Sequence, residues 1–439
     1  MIAGTHALKS LANLVAVILA GTWRGCPPRN YISADELVKV NRLLLASGAA
    51  ALGWWKIRYS KLRKSPAALE LQEQYRAQTL QSALDERQIE RLFNLLRRAG
   101  VEPLLIKGWA LARLYPESGL RPCGDVDLYV EADQLASARA ALNSSEGKQY
   151  SADLHQELQE LDDRAIDDLY ARSQIVRLGQ TDVRILSAED LLRLQCIHFL
   201  RHGAWRPLWL CDIAAALEAR PANFDWDYCL GGNCRRADWV ACSVGLAHQL
   251  LGAHVEDTPV AARAKNLPRW LIPNVLKQWE TPYTGNQAPM RHRAPMATYL
   301  NHPAGVWKDI RNRWPNPIEA TISVNGPLNE LPRLPFQIGA LISRTRKFLS
   351  KLPAQLSESK SEPPTSERVK KLISSVRATL CGRPFSNKGH RSGRPRRAAP
   401  TMKLIFSYIL KERGENPTKG AATPQHTDRK LCDENTSYQ

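Results

Sequence analysis

The sequence predicts an α+β fold in which helical segments precede and follow a short region of strands. Three observations support this class. Residues 34–100 read as helices, two short β-prone apolar runs lie within residues 101–186, and helical spacing returns from residue 187. The chain has 439 residues, of which 44% are hydrophobic, so it is long enough for two or three domains with their own cores.

Composition divides the chain into four regions. We expect an N-terminal helical region at residues 1–100, a strand-containing core at 101–186, a helical C-terminal region at 187–353 and a tail at 354–439. The tail is rich in Ser, Pro, Lys, Arg and Gly, a composition that is typical of disorder. The chain carries a net charge of +18, and residues 351–439 hold 18 Lys/Arg and 8 Asp/Glu, a net +10. The predicted folded part is therefore only moderately basic.

The first apolar run, at residues 11–21, is shorter than the roughly 20 residues that span a bilayer. Only Lys9 precedes it as a cation, and no signal-peptidase motif follows. We therefore expect a buried helix and no transmembrane segment, with a membrane-associated or cleaved N-terminus as the alternative. Nine cysteines at irregular spacing, with no C-x-x-C pair, indicate reduced thiols and a cytoplasmic protein.

The spacing of apolar residues predicts a helix over residues 85–100, followed by the first strand. Apolar side chains recur at intervals of three and four residues from Ile89 to Leu96. Gly100 is a typical helix stop. The short apolar run at residues 103–107 lies between two glycines, and it predicts a strand.

The second strand is predicted over residues 125–130, and it carries two carboxylates. Side chains alternate between the faces of a strand, so Asp125 and Asp127 are expected on one face and the apolar residues on the other. Two neighbouring carboxylates repel each other and are costly to desolvate, and a bound divalent cation removes both costs. Paired carboxylates that hold Mg²⁺ are typical of phosphoryl- and nucleotidyl-transfer sites.

Nucleotidyl transfer also requires a glycine turn that lets backbone N–H groups approach a phosphate, and cations that offset its charge. Lys107 and Gly108 follow the first strand, and Arg121 precedes the second. Structural alternatives remain open for both cations. Lys107 is also compatible with simple exposure at a strand end, and Arg121 with an ion pair to Asp125 or Asp127.

Helices dominate the predicted elements after the second strand. A helix is expected over residues 132–142, whereas residues 151–158 are ambiguous between strand and helix. A capping-box-like start at Ser187 opens a helix that continues through Leu200. Further helical stretches are predicted at residues 207–219 and 237–251.

Three histidines have open roles. His198 and His202 are four residues apart and share a helix face, where such a pair can bind a metal. No third ligand lies at a suitable spacing, so we favour a structural role, with hydrogen bonds to Asp212 or to the backbone. His155 is compatible with orienting a metal ligand or with holding its strand.

Taken in order, these motifs resemble the uncharacterised bacterial nucleotidyltransferase-like family, which belongs to the DNA polymerase β-type superfamily. The residues that carry the resemblance are the run at 105–111, Arg121 and Gly-Asp-Val-Asp-Leu at 124–128, and it is strongest over residues 85–130 and 183–251. The helical segment at 183–212 extends it. Altogether the resemblance covers roughly residues 32–350.

The resemblance implies a small mixed sheet of the polymerase β-type nucleotidyltransferase fold, flanked by helices, as the catalytic core. It also implies transfer of a nucleoside monophosphate from an NTP such as ATP to an acceptor hydroxyl, with Mg²⁺ or Mn²⁺ as cofactor and pyrophosphate as product. Asp125 and Asp127 match the family's metal-binding pair. Asp153 is the candidate third catalytic ligand, with Glu157 and Asp182 as alternatives.

The resemblance further implies that Lys107, Gly108 and Arg121 bind the nucleotide. The acceptor stays open between a small molecule, RNA and a protein. A catalytically inactive nucleotide- or partner-binding member of the same fold is the alternative, and Trp109 favours it because the superfamily usually has Ser or Gly there. Nucleic-acid binding through the basic cluster at residues 391–397 is a further possibility, but it is not favoured because no aromatic residue is interleaved there.

Overall fold

The computed structural model describes residues 10–28, 32–280, 314–344 and 346, and this part of the chain is an α+β fold with one five-stranded mixed sheet. The predicted fold class is therefore confirmed. The predicted disordered tail at 354–439, with its basic cluster, lies outside the described residues. The four-region division of the chain stays a prediction.

Helices fill the described part of the first hundred residues. They are α1 (Leu11–Leu19), α2 (Ala34–Ser47), α3 (Ala50–Ile57) and α4 (Pro66–Arg98). Helix α1 is the apolar run that was expected to be buried, and Leu14, Ile18 and Leu19 are at most 4% exposed. Among the described residues, no helix is both long and apolar enough to cross a membrane. The helix predicted at 85–100 is the C-terminal half of α4.

The sheet has the strand order β3-β2-β1-β5-β4. Its strands are β1 (Leu104–Leu105), β2 (Val126–Tyr129), β3 (Ala152–His155), β4 (Gln174–Leu178) and β5 (Thr181–Ile185). Strands β2 and β3 are parallel, as are β1 and β5, whereas β1 with β2 and β4 with β5 are antiparallel. The strands predicted at 103–107 and 125–130 are confirmed, and the ambiguous segment at 151–158 contains a strand. The β4–β5 hairpin was not predicted.

Each face of the sheet has its own hydrophobic core. On one face, Val126 and Leu128 of β2 pack with Phe93 and Leu96 of α4. On the other face, Tyr129 packs with Leu191 and Leu194. Successive residues of β2 therefore point to opposite faces of the sheet. Asp127 shares its face with Tyr129.

Short helices connect the strands, and longer ones follow them. The connecting helices are α5 (Trp109–Ala112), α6 (Leu135–Asn143) and α7 (Ile166–Arg172). After β5 come α8 (Ala188–Arg201), α9 (Pro207–Glu218), α10 (Trp226–Leu230), α11 (Cys234–Leu251), α12 (Ala261–Lys265), α13 (Leu271–Glu280) and α14 (Pro317–Ser323). Residues 334–344 are also helical. As predicted, Ser187 caps α8, where its hydroxyl accepts from the Asp190 N–H at 3.1 Å.

Candidate active site

Strands β2 and β3 bring two carboxylates and an imidazole together. The two strands run parallel with Asp127 opposite Asp153 and Tyr129 opposite His155. Side chains two residues apart share a face, so Asp127, Asp153 and His155 point to the same side of the sheet. One potential ligand atom from each of the three lies within 4.8 Å of the others. This geometry is compatible with a bound metal ion.

Two cationic or proton-donating groups hold the Asp127 carboxylate. His155 Nε2 lies 3.0 Å from Asp127 Oδ1 and 3.6 Å from Asp153 Oδ2, and Lys107 Nζ lies 3.1 Å from Asp127 Oδ1. Burial raises the pKa of Asp127. The hydrogen bond from His155 and the charge of Lys107 together lower it by more, so the net pKa is below its usual value. Asp127 is therefore ionised at neutral pH. The Asp153 side chain, by contrast, is 65% exposed.

Asp125 lies at a bend one residue before β2, and its side chain is not in the three-residue group. Its Oδ1 accepts a hydrogen bond from Ser151 Oγ at 2.8 Å. Because a bend interrupts the regular alternation of a strand, the sequence spacing to Asp127 does not by itself fix which way Asp125 points. Its role as a metal ligand stays a prediction.

Of the three candidates for the third carboxylate, Asp153 is the one that lies opposite Asp127. Glu157 is exposed beyond the end of β3. Asp182 lies in β5, two strands away from β2, and forms an ion pair of 3.1 Å with Arg177. The sequence leaves the role of His155 open, but the Asp-x-His spacing of residues 153–155 on a strand indicates that both side chains share one face.

Gly108 forms the turn between β1 and α5. Its φ of +70° and ψ of −112° belong to a conformation that L side chains rarely adopt. A Cβ at this position would lie 3.9 Å from the carbonyl oxygen of Asp125, so the turn lies beside the start of β2. The next residue, Trp109, is only 7% exposed and packs into the core with α4, where its indole N–H donates to Glu86 at 3.3 Å.

Arg121 is buried and connects the Gly108 turn to α9. Its Nε and Nη2 donate to the two carboxylate oxygens of Asp212 at 3.3 and 3.1 Å. Its Nη1 donates to the carbonyls of Gly108 and Pro122 at 3.2 and 3.1 Å. Burial lowers the pKa of Arg121, but the charge and hydrogen bonds of Asp212, together with Cys123 and Tyr115, raise it by more, so the net pKa lies above its usual value. Tyr115 Oη also donates to Asp212, at 2.8 Å.

His198 and His202 belong to an aromatic cluster that also contains Trp205 and Trp209. His198 Nδ1 lies 3.4 Å from Glu160 Oε1, rather than beside Asp212, whose carboxylate already accepts from Arg121 and Tyr115. The ring centroids of the two histidines are 4.4 Å apart. The cluster is therefore held by ring contacts and by Glu160.

Residues 33–252 match the model of a family described as uncharacterised nucleotidyltransferase. The match spans half of the chain, and it contains the sheet, the Asp127–Asp153–His155 group, the Gly108 turn and the aromatic cluster. Comparisons with curated proteins and with solved structures give no match.

Proposed function

We infer that this chain catalyses nucleotidyl transfer, because the chain belongs to the uncharacterised nucleotidyltransferase family. In its finer form, we propose transfer of a nucleoside monophosphate from an NTP to an acceptor hydroxyl, with release of pyrophosphate. One observation carries the proposal: Asp127 and Asp153 face the same side of adjacent parallel strands, next to the Gly108 turn and Lys107.

The donor set fits Mg²⁺ or Mn²⁺. Carboxylate oxygens suit both ions, and Mg²⁺ is usually held by one or two carboxylates together with substrate phosphates. Asp127 and Asp153 supply these oxygens, with Asp125 as a further predicted ligand. Imidazole nitrogen is a poorer ligand for Mg²⁺, so we assign His155 the hydrogen bond that orients Asp127. The bound ion would offset the charge of the triphosphate and help to activate the attacking hydroxyl.

The remaining residues bind and position the nucleotide. The Lys107 ammonium lies beside the Asp127 carboxylate, where it can neutralise the charge of a phosphate oxygen. Gly108 leaves the backbone of the turn unobstructed, because it has no Cβ. Arg121 uses donors on all three of its nitrogens to bind Asp212 and two carbonyls. We therefore assign Arg121 to positioning the Gly108 turn, and a phosphate contact by its side chain stays a prediction.

The proposal is tested with [α-³²P]-labelled ATP, GTP, CTP and UTP, Mg²⁺ and the purified full-length chain. RNA, a small-molecule extract and the chain itself serve as acceptors in separate reactions. Asp127→Asn and Asp153→Asn are expected to lower label transfer at least about 100-fold, which corresponds to about 2.7 kcal/mol of transition-state stabilisation. Pyrophosphate release is measured in parallel.

The matched control is Asp168→Asn, which removes an exposed carboxylate of α7 away from the group. This variant should transfer label at the wild-type rate. Equal transfer by the wild type and by Asp127→Asn would contradict the proposed metal chemistry, because the Asp127 carboxylate would then contribute nothing to the reaction.

A second candidate function is a nucleotide- or partner-binding protein of the same fold without catalysis. It is favoured by the contact of 3.1 Å between Lys107 Nζ and Asp127 Oδ1, in which the ammonium offsets a charge that a metal would otherwise offset. Calorimetry with each NTP and Mg²⁺ separates the two functions. Binding without label transfer or pyrophosphate release supports this second candidate.

A further inference from the structure

The aromatic cluster of His198, His202, Trp205 and Trp209 lies partly at the surface. Its rings meet at centroid distances of 4.4 to 5.4 Å, with interplanar angles of 50° to 70°. His202 is exposed, and both tryptophans are half-buried. Part of the aromatic surface of the cluster is therefore accessible to solvent.

Helix α9 connects this cluster to the Gly108 turn. Trp209 precedes Asp212 by three residues, which is about 4.5 Å along a helix and places both side chains on nearby faces. Asp212 binds Arg121, and Arg121 donates to the Gly108 carbonyl. Trp209 therefore lies about one turn of α9 away from Asp212, the residue that holds Arg121 against the Gly108 loop.

Arg206 supplies a second connection. Its guanidinium lies 5.5 Å from the Trp209 ring centroid. The same guanidinium and the ring of Pro122 both border Gly48, within 2.5 and 3.6 Å of where a Cβ would lie. Arg206 is therefore beside the loop that carries Arg121 and leads into β2.

A third connection runs through Glu160, which lies beyond the end of β3. His198 contacts Glu160, which follows His155 by five residues. His155 belongs to the carboxylate group, so Glu160 lies a short stretch of chain beyond that group. The cluster is therefore connected to the Gly108 turn through α9 and Arg121, and to the end of β3 through Glu160.

We propose that the aromatic cluster is the platform on which the base of the NTP stacks. This proposal rests on the nucleotidyl transfer proposed above. Every nucleobase has a π-face, so stacking on indole and imidazole rings binds a base without reading its identity. Arg206 beside Trp209 adds a cation that can stack on the base or contact a phosphate. The triphosphate would then extend from the cluster toward Gly108 and Lys107.

The test compares nucleotides with a ligand that has no base. Calorimetry on the full-length chain measures the binding of ATP, GTP, CTP, UTP and inorganic tripolyphosphate, each with Mg²⁺. Trp209→Ala should weaken NTP binding by about 5- to 150-fold, the range that corresponds to about 1–3 kcal/mol per stacked base, and leave tripolyphosphate binding unchanged. Trp209→Phe should retain most of the affinity for NTPs.

Two further variants keep the test valid if Trp209→Ala unfolds, which its melting curve would show. His202→Ala removes an exposed ring of the cluster, and Trp205→Ala removes a half-buried one. Both should weaken NTP binding selectively. The matched control is Trp226→Ala, which removes a half-buried tryptophan of α10 outside the cluster and should leave all affinities unchanged.

Each remaining outcome overturns the platform. NTP binding that is equally tight in the wild type and in the cluster variants rejects the platform while nucleotide binding itself stands. An equal loss of NTP and tripolyphosphate binding in folded variants assigns the cluster a structural role. A wild-type chain that binds tripolyphosphate as tightly as NTPs has no base platform. A wild-type chain that binds no NTP rejects the platform together with the proposed function.

Discussion

Gly108 shows how a single backbone conformation positions the candidate site. Its φ of +70° is strained for any residue with a Cβ, although the nearest atom to such a Cβ would be 3.9 Å away. The requirement for glycine is therefore conformational rather than a matter of space. A substitution here acts by moving the turn relative to the Asp125 carbonyl and to Arg121, which donates to the Gly108 carbonyl.

Gly108→Ala should lower the free energy of unfolding by about 1–3 kcal/mol, which is the cost of a strained backbone conformation. It should also weaken NTP binding, because the turn would relax away from its present position. Urea denaturation and calorimetry provide the two measurements. Gly124→Ala is the control, since Gly124 is exposed, has no atom within 4 Å of where a Cβ would lie and has no left-handed φ. Equal stability of the two variants would disprove the strain.

The buried pair of Arg121 and Asp212 predicts a difference between single and double variants. Arg121→Met leaves the Asp212 carboxylate buried without its main partner, and it should cost about 3–5 kcal/mol of stability. The double variant Arg121→Met/Asp212→Leu removes both charges and should recover a large part of that loss. Denaturant unfolding of all three proteins measures the coupling. A double variant that is less stable than Arg121→Met would contradict a mainly electrostatic coupling.

Among the elements, the register between β2 and β3 matters most for the candidate site, because it aligns Asp127 with Asp153. A shift by one residue would turn Asp153 to the opposite face. Asp125 precedes the strand and is not held by this register. Asp125 and Asp153 should therefore contribute unequally to metal binding.

Asp153→Asn should weaken Mn²⁺ binding in the presence of an NTP more strongly than Asp125→Asn does. We expect about a tenfold difference, equivalent to about 1.4 kcal/mol, because Asp153 is within the three-residue group and Asp125 is not. The amplitude of the free Mn²⁺ signal in electron paramagnetic resonance measures the affinity. Both variants keep the shape of the side chain, so each controls for the other. Stronger weakening by Asp125→Asn would assign the second ligand to Asp125 instead.

Much of the fold was predictable from local patterns, whereas long-range partners were not. The strand around Asp127 and the cap at Ser187 follow from short-range rules of alternation and hydrogen bonding. The β4–β5 hairpin was missed because charged residues such as Arg177 and Asp182 interrupt its apolar residues. The partner of Arg121 lies 91 residues later in the chain, and no local pattern encodes such a contact.

At the scale of the molecule, one hydrophobic core includes residues from both ends of the described chain. Leu14 and Leu44 from the N-terminal helices belong to the same cluster as Leu208 of α9 and Trp279 of α13. Local periodicity predicted these helices but could not show which of them pack together. Helix α1, the N-terminal apolar run, thus belongs to the same core as α8 and α9, the helices next to the aromatic cluster.

An ion pair at the surface of this core gives a prediction for stability against pH. Glu218 at the end of α9 accepts hydrogen bonds from Arg24 and from the Trp23 indole, and its side chain is 16% exposed. Burial raises the pKa of Glu218. The hydrogen bonds from Arg24 and Trp23 lower it by a larger amount, so the net pKa lies below its ordinary value of 4.5. The ionised form is therefore favoured in the folded state.

Because the folded-state pKa is lowered, the stability that Glu218 contributes is fully present above about pH 4.5, the unfolded value, and is lost as the pH falls through the folded value. Glu218→Gln should lower the free energy of unfolding at pH 7 by about 1.5–3 kcal/mol, the range for hydrogen bonds to a charged group. The difference from the wild type should shrink steadily below pH 4.5. Urea unfolding between pH 3 and pH 7 measures it, with Glu117→Gln as the control at an exposed position. A difference that stays constant over this range would show that lost packing, rather than the charge, destabilises the variant.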